Sequence, residues 1–376
     1  MERKLATVRR ISKVEKHPNA DSLDICTVDG WKVITKLGEF KEGDLAIYFE
    51  VDSFLPIHKE FEFLRKSCYK KLPDGSKGFR LKTIRLRGIL SQGLLMPFYI
   101  ITFINNNFML LPYVDNTGYG TGEYFLYHQI DKITMDLTPG TDLTEILGVT
   151  KYEPPIPVHL AGDVKGMFPS FLRKTDEERI QNIPQILEEY KDEYVYITEK
   201  LDGTSATYYY KDGEFGACSR TLDLKEDKKN LYWKVARDYD LESKLKSLGN
   251  FCIQGEIIGP GIQGNPYKLN KPQFYAFNVF DINKQSFLSF FDYVKILYDL
   301  NLISVPILYQ GKLLRKFANN IDNILKKAEG LSELNLNIQR EGIVIRGMRE
   351  RNDVLNTSCG RLSFKVINNK YLLGEK

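Results

Sequence analysis

Residues 200–207 read Lys-Leu-Asp-Gly-Thr-Ser-Ala-Thr and lie between two stretches with the composition of β-strands, 194–198 and 206–210. A lysine in the wall of a pocket can attack the α-phosphate of a nucleotide and carry the nucleotidyl group on its Nζ atom. A match to Lys-Leu-Asp-Gly also arises by chance, and Lys200 taken alone is one of 53 basic residues. The rest of the sequence has to decide between a nucleophile and a surface lysine.

The order of the downstream motifs favours the nucleophile. After Lys200 the chain contains Ser219-Arg220, Gly255-Glu256, YAFNVFDI at 275–282, EGIVIRG at 341–347 and FKVIN at 364–368. This ordered series resembles the nucleotidyl-transferase motifs of ATP-dependent polynucleotide ligases and mRNA capping enzymes. The resemblance implies that Lys200 forms a covalent lysyl-nucleotide.

Composition and charge narrow the class of protein. The 376 residues suffice for two domains. The 53 basic and 49 acidic residues leave a net charge of only +4, so a contact with nucleic acid needs a local basic patch. The five cysteines form no CxxC pair and the four histidines stand far apart, which argues against a zinc site and a secreted disulfide framework.

Neither a signal peptide nor a membrane span is predicted. The N-terminal segment has no apolar stretch, and the most apolar run, 94–111, is interrupted by Pro97 and by three asparagines. We therefore expect a soluble, intracellular protein without a membrane partner, with a monomer as the default state.

Turn and strand signals predict two domains, 1–160 and 161–376. Residues 1–160 contain short alternating stretches separated by turns, which predicts a small β-barrel followed by a linker. His17-Pro-Asn-Ala-Asp-Ser-Leu and the hairpin after it resemble the OB-type tRNA-binding modules of some synthetases, which implies an OB-type barrel that binds nucleic acid. The clearest signals are a hairpin of strands 23–28 and 31–35 around Asp29-Gly30, a strand at 45–51, a helix at 142–147 and a stiff linker with prolines at 154, 155 and 157.

Residues 161–376 alternate strands and helices. The resemblance implies an adenylyltransferase domain of antiparallel sheets with flanking helices, similar to ATP-grasp proteins, and an α+β fold class for the whole chain. Thr175 and Glu178 have the spacing of a capping box and predict a helix to about residue 182. Amphipathic patterns predict helices at about 229–248, 289–300 and 317–329.

Lys200 must lose its proton before it can act as a nucleophile, and a free lysine has a pKa near 10.4. A like charge about 5 Å away, at an effective dielectric constant of about 20, lowers that pKa to roughly 8. We expect Lys365 and a bound Mg²⁺ ion to supply this repulsion.

Two glutamates stand beside glycines in otherwise apolar stretches, FCIQGEIIG and EGIVIRG. Glycine allows a nucleotide to approach the backbone, and a carboxylate there can bind a ribose hydroxyl or a metal-bound water. The resemblance implies that Glu256 holds the ribose and that Glu341 helps to hold the catalytic metal, in a metal site of Asp202, Glu256 and Glu341. Exposed strand glutamates are the alternative, which the apolar surroundings disfavour.

The remaining nucleotide contacts follow from the resemblance. Phe277 is expected to stack on adenine, although packing in a buried strand explains a phenylalanine there nearly as well. Arg220 is expected to contact the nucleotide or a 5′-phosphate, because guanidinium groups suit bidentate phosphate recognition. The predicted nucleotide-binding residues are Glu199, Lys200, Asp202, Arg220, Glu256, Phe277 and Lys365, and Arg179 is a further phosphate candidate.

The last motif departs from the common pattern of two lysines spaced by one residue. Lys365 is present, but Ser363 and Ile367 fill the neighbouring alternate positions. The second positive charge is either missing or supplied by Lys370. Lys365 remains the predicted catalytic lysine of this motif, beside Lys200 and Glu341.

A basic patch in the first domain is the candidate nucleic-acid surface. Between residues 65 and 87, nine lysines and arginines stand against one acid, Asp74. Neutralising several phosphates would give a salt-sensitive grip on nucleic acid, whereas a solvated basic loop is the alternative. The selected residues are Arg80, Lys82, Arg85 and Arg87.

Over nearly its whole length the chain resembles one family, the nick-sealing RNA ligases of the Deinococcus/Naegleria type. The match is carried by RLKTIRLRGILSQGL at 80–94, PGTDLTEILGVTKYEPPIP at 139–157, KTDEERIQN at 174–182 and the motif series. It implies ATP-dependent sealing of 3′-OH and 5′-phosphate ends in RNA, or in nicked duplexes with an RNA 3′-OH end. The route runs through lysyl-AMP and an adenylylated 5′-end, with Mg²⁺ or Mn²⁺.

Two alternatives stay open. A DNA ligase or a capping-type enzyme should carry a C-terminal OB module, and only eight residues follow FKVIN. A non-catalytic RNA-binding protein with a decayed catalytic domain is disfavoured by the presence of Lys200, Glu256, Glu341 and Lys365.

Overall fold

The computed structural model describes residues 3–114, 120–153, 164–354, 357 and 360–374. The chain divides into two compact units, residues 2–155 and residues 156–376. The predicted boundary near residue 160 and the prolines at 154, 155 and 157 lie outside the described residues. None of the helices in the described ranges has the length and apolar character needed to cross a membrane.

The first unit is built mainly from short strands. They are β1 Ala6–Arg10, β2 Lys13–Lys16, β3 Leu23–Val28, β4 Trp31–Lys36, β5 Leu45–Phe49, β6 Ser53–Pro56, β7 Tyr69–Lys71, β8 Lys77–Arg80, β9 Ile84–Leu86, β10 Ile89–Ser91, β11 Leu94–Met96, β12 Phe108–Val114, β13 Gly120–His128, β14 Ile133–Asp136 and β15 Thr150–Lys151. The helical segments are a 3₁₀ turn at Lys59–Leu64, α1 Arg65–Cys68 and α2 Ile100–Ile104.

These strands pair in small antiparallel sheets with the orders β1-β5-β11, β2-β3-β4, β15-β6-β8-β7, β9-β10 and β12-β13-β14. The central strand β5 separates two apolar cores. Because side chains alternate across a strand, Ile47 and Phe49 enter one core, while Ala46 and Tyr48 enter the other. An apolar core on each face of β5 is compatible with the small β-barrel that the sequence predicts.

The hairpin prediction in this unit is confirmed and the helix prediction is wrong. Asp29 and Gly30 adopt φ values of 46° and 81°, as a tight turn between β3 and β4 demands. Residues 144–148 form a turn that does not continue into a regular helix. The Leu147 N–H donates to the Leu143 carbonyl at 3.0 Å, as in a helix, while the Leu143 N–H donates to the Ala6 carbonyl of β1 at 2.8 Å.

The second unit contains longer strands. They are β16 Val164–Met167, β17 Glu178–Arg179, β18 Tyr194–Lys200, β19 Thr204–Lys211, β20 Glu214–Cys218, β21 Leu222–Leu224, β22 Phe251–Ile258, β23 Gln273–Asp281, β24 Ser286–Phe287, β25 Ile307–Leu313, β26 Leu331–Ser332, β27 Asn335–Gln339, β28 Gly342–Gly347 and β29 Ser363–Ile367. The helices are α3 Ile186–Glu189, α4 Leu231–Asp238, α5 Leu241–Leu248, α6 Phe290–Asp299, α7 Leu314–Phe317, α8 Ile321–Ala328 and α9 Asn369–Leu373, with a 3₁₀ turn at Ile180–Asn182.

Two sheets organise this unit. The larger has the order β16-β21-β20-β19-β22-β23-β24 and the smaller the order β17-β29-β28-β18-β25. Consecutive strands β18 and β19 belong to different sheets, so the loop 201–203 carries the chain from one sheet to the other. Leu201 anchors that loop in an apolar cluster with Ile258 and Tyr267. The Lys-Leu-Asp-Gly sequence therefore lies where the two sheets meet.

The predicted capping box at Thr175 is wrong. Thr175 Oγ1 lies 3.0 Å from Ser205 Oγ, and the following residues form β17, which pairs in parallel with β29. A short 3₁₀ turn at Ile180–Asn182 is the helical part of this stretch. Long-range strand pairing has therefore replaced local helix capping.

The other helix predictions hold with corrected limits. The predicted helix at 289–300 is confirmed as α6. The one at 229–248 is interrupted between α4 and α5, where Asp240 has a φ of 49°. The one at 317–329 begins only at Ile321, because Asn320 accepts a bond from the Asn323 N–H and caps α8.

Candidate active site

Strand pairing brings two of the predicted lysines onto one face of the smaller sheet. Thr198 lies opposite Val344, and Val344 lies opposite Lys365. Lys200 follows Thr198 by two residues on β18, so its side chain points to the same face. The register of three apolar strands thus gathers cations that are far apart in sequence.

Lys200 is in direct contact with Glu341. Its Nζ atom donates to Glu341 Oε1 at 2.5 Å, and the two side chains are 28% and 17% exposed. The other carboxylate oxygen, Oε2, is buried and has no hydrogen-bond partner within the described part of the chain. A carboxylate in this position is able to accept a proton from the lysine or to hold a cation.

Lys365 lies among other positive charges. Burial, the Arg179 guanidinium and the Lys200 ammonium together lower the pKa of its ammonium group to about 8. Arg179 is the register partner of Lys365 in the pairing of β17 with β29. The positive charges of Lys365, Arg179 and Lys200 lie close together, which favours binding of a polyanion such as a nucleoside triphosphate.

Glu256 reaches the same place from the larger sheet. It lies opposite Ser205 where β22 pairs with β19. Burial, with the nearby Glu341 and Asp202 carboxylates, raises the pKa of Glu256 to about 8 against the opposing charge of Lys200. Glu256, on the larger sheet, is therefore close enough to Lys200 and Glu341 for their charges to change its pKa.

Phe277 occupies an irregular position in β23. Gln254 pairs with Asn278 and Gly255 pairs with Ala276, so Phe277 is the extra residue of a β-bulge. Its ring is only half-buried. A ring that projects from a bulge keeps surface with which it can stack on a base, whereas Asn278 is buried and donates to the Gln254 side chain.

Asp202 is held by two tyrosines that the sequence analysis missed. Its backbone N–H donates to Tyr267 Oη at 2.7 Å, and its Oδ2 atom accepts a hydrogen bond from the Tyr371 hydroxyl. Neither tyrosine belongs to a recognised motif, and only the tertiary structure brings them to the loop.

The segment 175–179 connects the two sheets beside these residues. Asp176 Oδ1 accepts from Arg220 of the larger sheet, with an Nη2 distance of 2.5 Å. Glu177 Oε1 accepts from Arg346 Nη2 of the smaller sheet at 3.1 Å. Arg220 remains 60% exposed, so donors are left for a phosphate. Asp176, Glu177 and Arg346 lie in the quoted motifs KTDEERIQN and EGIVIRG, but the sequence analysis did not select them as site residues.

Glu199 and Lys370 lie apart from this cluster. Glu199 is buried on the opposite face of β18, where its Oε2 atom accepts from the Glu333 N–H at 2.8 Å. The Lys370 Nζ lies 2.8 Å from Glu329 Oε2. Ser363, where the second lysine of the last motif was expected, has Arg346 as its strand partner. Arg346 of β28 therefore places a positive charge directly opposite Ser363 of β29.

The predicted basic patch of the first unit contains an exposed hairpin. Lys82, Arg85 and Arg87 are exposed on or next to the β9–β10 hairpin. His17 Nε2 lies 3.2 Å from the Leu86 carbonyl, and Asn19 Nδ2 donates to the Arg87 carbonyl at 2.9 Å. Contacts from His17 and Asn19 thus hold the backbone of the hairpin, while its cationic side chains are exposed to solvent.

Arg80 has a different environment. Its Nη2 atom lies 2.8 Å from Asp52 Oδ1, and its guanidinium carbon lies 4.1 Å from the centroid of the Tyr152 ring. These contacts hold Arg80 against its own unit.

The carboxylates fit a weakly coordinated divalent ion. Within the described residues no three histidine, cysteine, aspartate or glutamate side chains converge as a metal cage. Mg²⁺ typically keeps several waters and is held by one or two carboxylates together with substrate phosphates. The unpartnered Oε2 of Glu341, with Asp202 and Glu256 nearby, suits that mode.

Comparisons with known proteins agree with this geometry. A family model described as RNA ligase matches residues 193–367, and one described as an OB-fold domain matches residues 5–98. The comparison with curated proteins gave no match.

Solved structures of a Naegleria gruberi RNA ligase are similar to the chain along its length. A variant with AMP and Mn is 37% identical, with 98% of each chain covered and a TM-score of 0.77. The same enzyme with PPi is 37% identical, with 99% of this chain and 98% of that chain covered and a TM-score of 0.76. A variant with ATP and Mn is 36% identical, with 98% of each chain covered and a TM-score of 0.77. These matches confirm the predicted fold class.

Proposed function

The chain belongs to the RNA ligase family, and from this premise we propose that it is an ATP-dependent enzyme that seals 3′-OH/5′-phosphate breaks in nicked duplexes with an RNA 3′-OH end. The observation that carries the proposal is the contact of 2.5 Å between Lys200 Nζ and Glu341 Oε1, on the sheet face that also presents Lys365. It puts a nucleophile, an acidic partner and a phosphate-binding cation in one place.

In the first step, the Lys200 amine attacks the α-phosphorus of ATP. A phosphorus–nitrogen bond forms, the bond from that phosphorus to the bridging oxygen breaks, and pyrophosphate leaves. Glu341 is in position to accept the proton that the lysine loses. Lys365, Arg179 and Arg220 carry the charge that holds the phosphates, and the product is lysyl-AMP.

Two further transfers complete sealing. An oxygen of the 5′-phosphate end attacks the AMP phosphorus, the phosphorus–nitrogen bond breaks and Lys200 is regenerated. The 3′-hydroxyl then attacks the adenylylated 5′-phosphate, a phosphodiester forms and AMP leaves. Glu256 holds the ribose and Phe277 stacks on adenine through these steps.

A divalent ion, Mg²⁺ or Mn²⁺, supplies charge stabilisation for the transferring phosphate and the leaving pyrophosphate. Glu341, whose Oε2 atom has no hydrogen-bond partner among the described residues, would hold it together with substrate phosphates, and Asp202 and Glu256 would bind its waters. The similar Naegleria gruberi enzyme with ATP and Mn supports a divalent ion as the cofactor.

We assign the nucleic-acid contact to residues 1–160 and adenylyl transfer to residues 161–376. Lys82, Arg85 and Arg87 are exposed on a braced hairpin, which suits contacts with the phosphate backbone of a duplex. Because the reaction consumes ATP, we place the enzyme inside the cell, and we propose that it acts as a monomer.

The test is the intact mass of the protein after incubation with ATP and Mg²⁺ in the absence of nucleic acid. The wild type and Lys295→Ala, an exposed control 75% accessible on α6, should gain the mass of one AMP. Lys200→Ala should gain nothing and should still bind a nicked duplex. If the wild type neither gains AMP nor carries it beforehand, the catalytic proposal fails and the RNA-binding alternative replaces it.

The substrate is tested separately. The wild type should seal a nick whose 3′-OH strand is RNA faster than the same nick with a DNA 3′-OH strand. Equal rates on the two nicks would contradict the proposed preference while leaving adenylyl transfer intact.

A further inference from the structure

Asp202 lies in the loop that links the two sheets, so strand pairing does not fix its side chain. Two tyrosines supply that constraint. The backbone N–H donates to Tyr267 Oη at 2.7 Å, and the carboxylate Oδ2 accepts from the Tyr371 hydroxyl. One carboxylate oxygen, Oδ1, stays available for another partner.

Tyr371 comes from α9, a helix of five residues that is too short to be stable alone. Asn368 holds it in place. The Asn368 Oδ1 atom accepts from the Lys370 N–H at 2.9 Å and caps the helix. Its Nδ2 atom donates to Gln339 Oε1 at 3.1 Å and to the Arg340 carbonyl at 3.0 Å, and the side chain is completely buried.

The same segment also reaches the second carboxylate of the site. The Asn368 backbone N–H donates to the Glu341 carbonyl at 2.9 Å, and the Glu341 side chain contacts Lys200. Residues 368–371 therefore tie together Asp202 of the loop 201–203 and Glu341, which precedes β28 and is distant from Asp202 in the chain. We call residues 368–371 the C-terminal clasp.

We propose that Tyr371 is a positioning residue for the divalent ion: its hydroxyl orients the Asp202 carboxylate toward the ion and its bound water. This inference rests on the proposed function, in which Asp202 belongs to the metal site. A phenol that donates to one carboxylate oxygen fixes the side-chain rotamer and leaves the other oxygen as an acceptor. Partners of this kind, one shell removed from the ion, commonly change metal affinity or activity by about 10–100-fold when they are removed.

The test measures Mn²⁺ affinity without turnover. Electron paramagnetic resonance follows free Mn²⁺ as it is titrated into the full-length protein with α,β-methylene-ATP. The variants are Tyr371→Phe, Asp202→Ala and the double variant, with Tyr298→Phe as the matched control because Tyr298 is 85% exposed on α6. Tyr371→Phe keeps the ring, and thermal unfolding of each variant checks that it folds.

Tyr371→Phe should weaken Mn²⁺ binding about tenfold or more, and Tyr298→Phe should leave it unchanged. The double variant should match Asp202→Ala alone, since the hydroxyl then has no carboxylate to orient. In adenylylation assays, Tyr371→Phe should raise the Mn²⁺ concentration needed for half-maximal rate and approach the wild-type rate at saturation.

If Tyr371→Phe keeps the wild-type Mn²⁺ affinity while Asp202→Ala loses affinity, Tyr371 does not position Asp202 for the ion. The inference then fails, and the proposed function remains. Additive losses in the double variant would overturn the inference as well, because they would mean that Tyr371 acts apart from Asp202. If Asp202→Ala keeps the wild-type affinity, the metal role of Asp202 fails, and the inference fails with it.

Discussion

Arg179 lies directly opposite Lys365 where β17 pairs in parallel with β29. The pairing puts a guanidinium beside the ammonium of the half-buried Lys365. Desolvation, Arg179 and Lys200 together lower the pKa of Lys365 to about 8. A group whose charge is this poorly tolerated in the free protein gains the most when a polyanion binds.

ATP binding should therefore take up protons at mildly alkaline pH. At pH 8 about half of Lys365 is neutral in the free protein, and the bound triphosphate favours the charged form. Calorimetry at pH 8 in buffers of different ionisation enthalpy measures the uptake. Lys365→Met should abolish the part of the proton uptake that comes from Lys365. At pH 6 the wild type and the variant should take up equal numbers of protons. Equal uptake by the two proteins at pH 8 would place the titrating group elsewhere.

The stability of the protein should depend on pH through Glu256. Burial raises its pKa from 4.5 to about 8, so between these values the folded state binds more protons than the unfolded state. The contribution of Glu256 to the free energy of unfolding is therefore fully present below about pH 4.5 and is lost as the pH rises through 8. Glu256→Gln should therefore gain stability relative to the wild type between pH 5 and 8, by at most about 1.4 kcal/mol per pH unit. Chemical denaturation at several pH values measures this difference, and a constant difference would refute the assignment.

Gly342 should be irreplaceable in β28. A Cβ atom there would lie 2.2 Å from the Val366 carbonyl oxygen and 3.0 Å from Ile367 Cα. Gly342→Ala should lower the free energy of unfolding by about 1–3 kcal/mol, because the backbones of β28 and β29 have to separate. Gly166→Ala is the control, since nothing lies within 4 Å of its added carbon. Similar denaturation midpoints for the two variants would contradict this packing.

The hairpin cations should control the salt dependence of duplex binding. Arg85→Ala and Arg87→Ala should each weaken binding to a nicked duplex and reduce the slope of log affinity against log salt by about one, if each neutralises one phosphate. The exposed Lys41 provides the control Lys41→Ala. Lysyl-AMP formation should remain unchanged in all three. An unaltered salt slope in both arginine variants would remove the hairpin from the RNA interface.

Arg80→Ala should behave differently from the hairpin variants. Its loss leaves Asp52 without its ion-pair partner and removes the guanidinium from the Tyr152 ring, so we expect about 1 kcal/mol of lost stability. Thermal unfolding checks this expectation. A normal unfolding temperature together with a reduced salt slope would return Arg80 to the RNA-binding set.

Prediction from the sequence succeeded where local pattern decides the structure. The hairpin around Asp29 and Gly30 and the strand that leads to Lys200 depend on alternation and turn chemistry within a few residues. It failed at Thr175, whose hydroxyl contacts Ser205 of another strand, and at 142–147, where a turn does not continue into a helix. A helical signal of one turn is worth about as much as a single tertiary bond, so the long-range partner can overrule it.

The sequence by itself determined the order of the motifs and predicted Lys200 as the nucleophile from the residue types around it, and the resemblance that those motifs carry implied the α+β class. Only the tertiary structure decided that Asp202 is held by Tyr371 and that Glu177 pairs with Arg346, each across 169 residues of chain. A hydrogen bond needs its two atoms within about 3 Å. No spacing along the chain encodes that distance, since it results from the register of whole strands packed around their apolar cores.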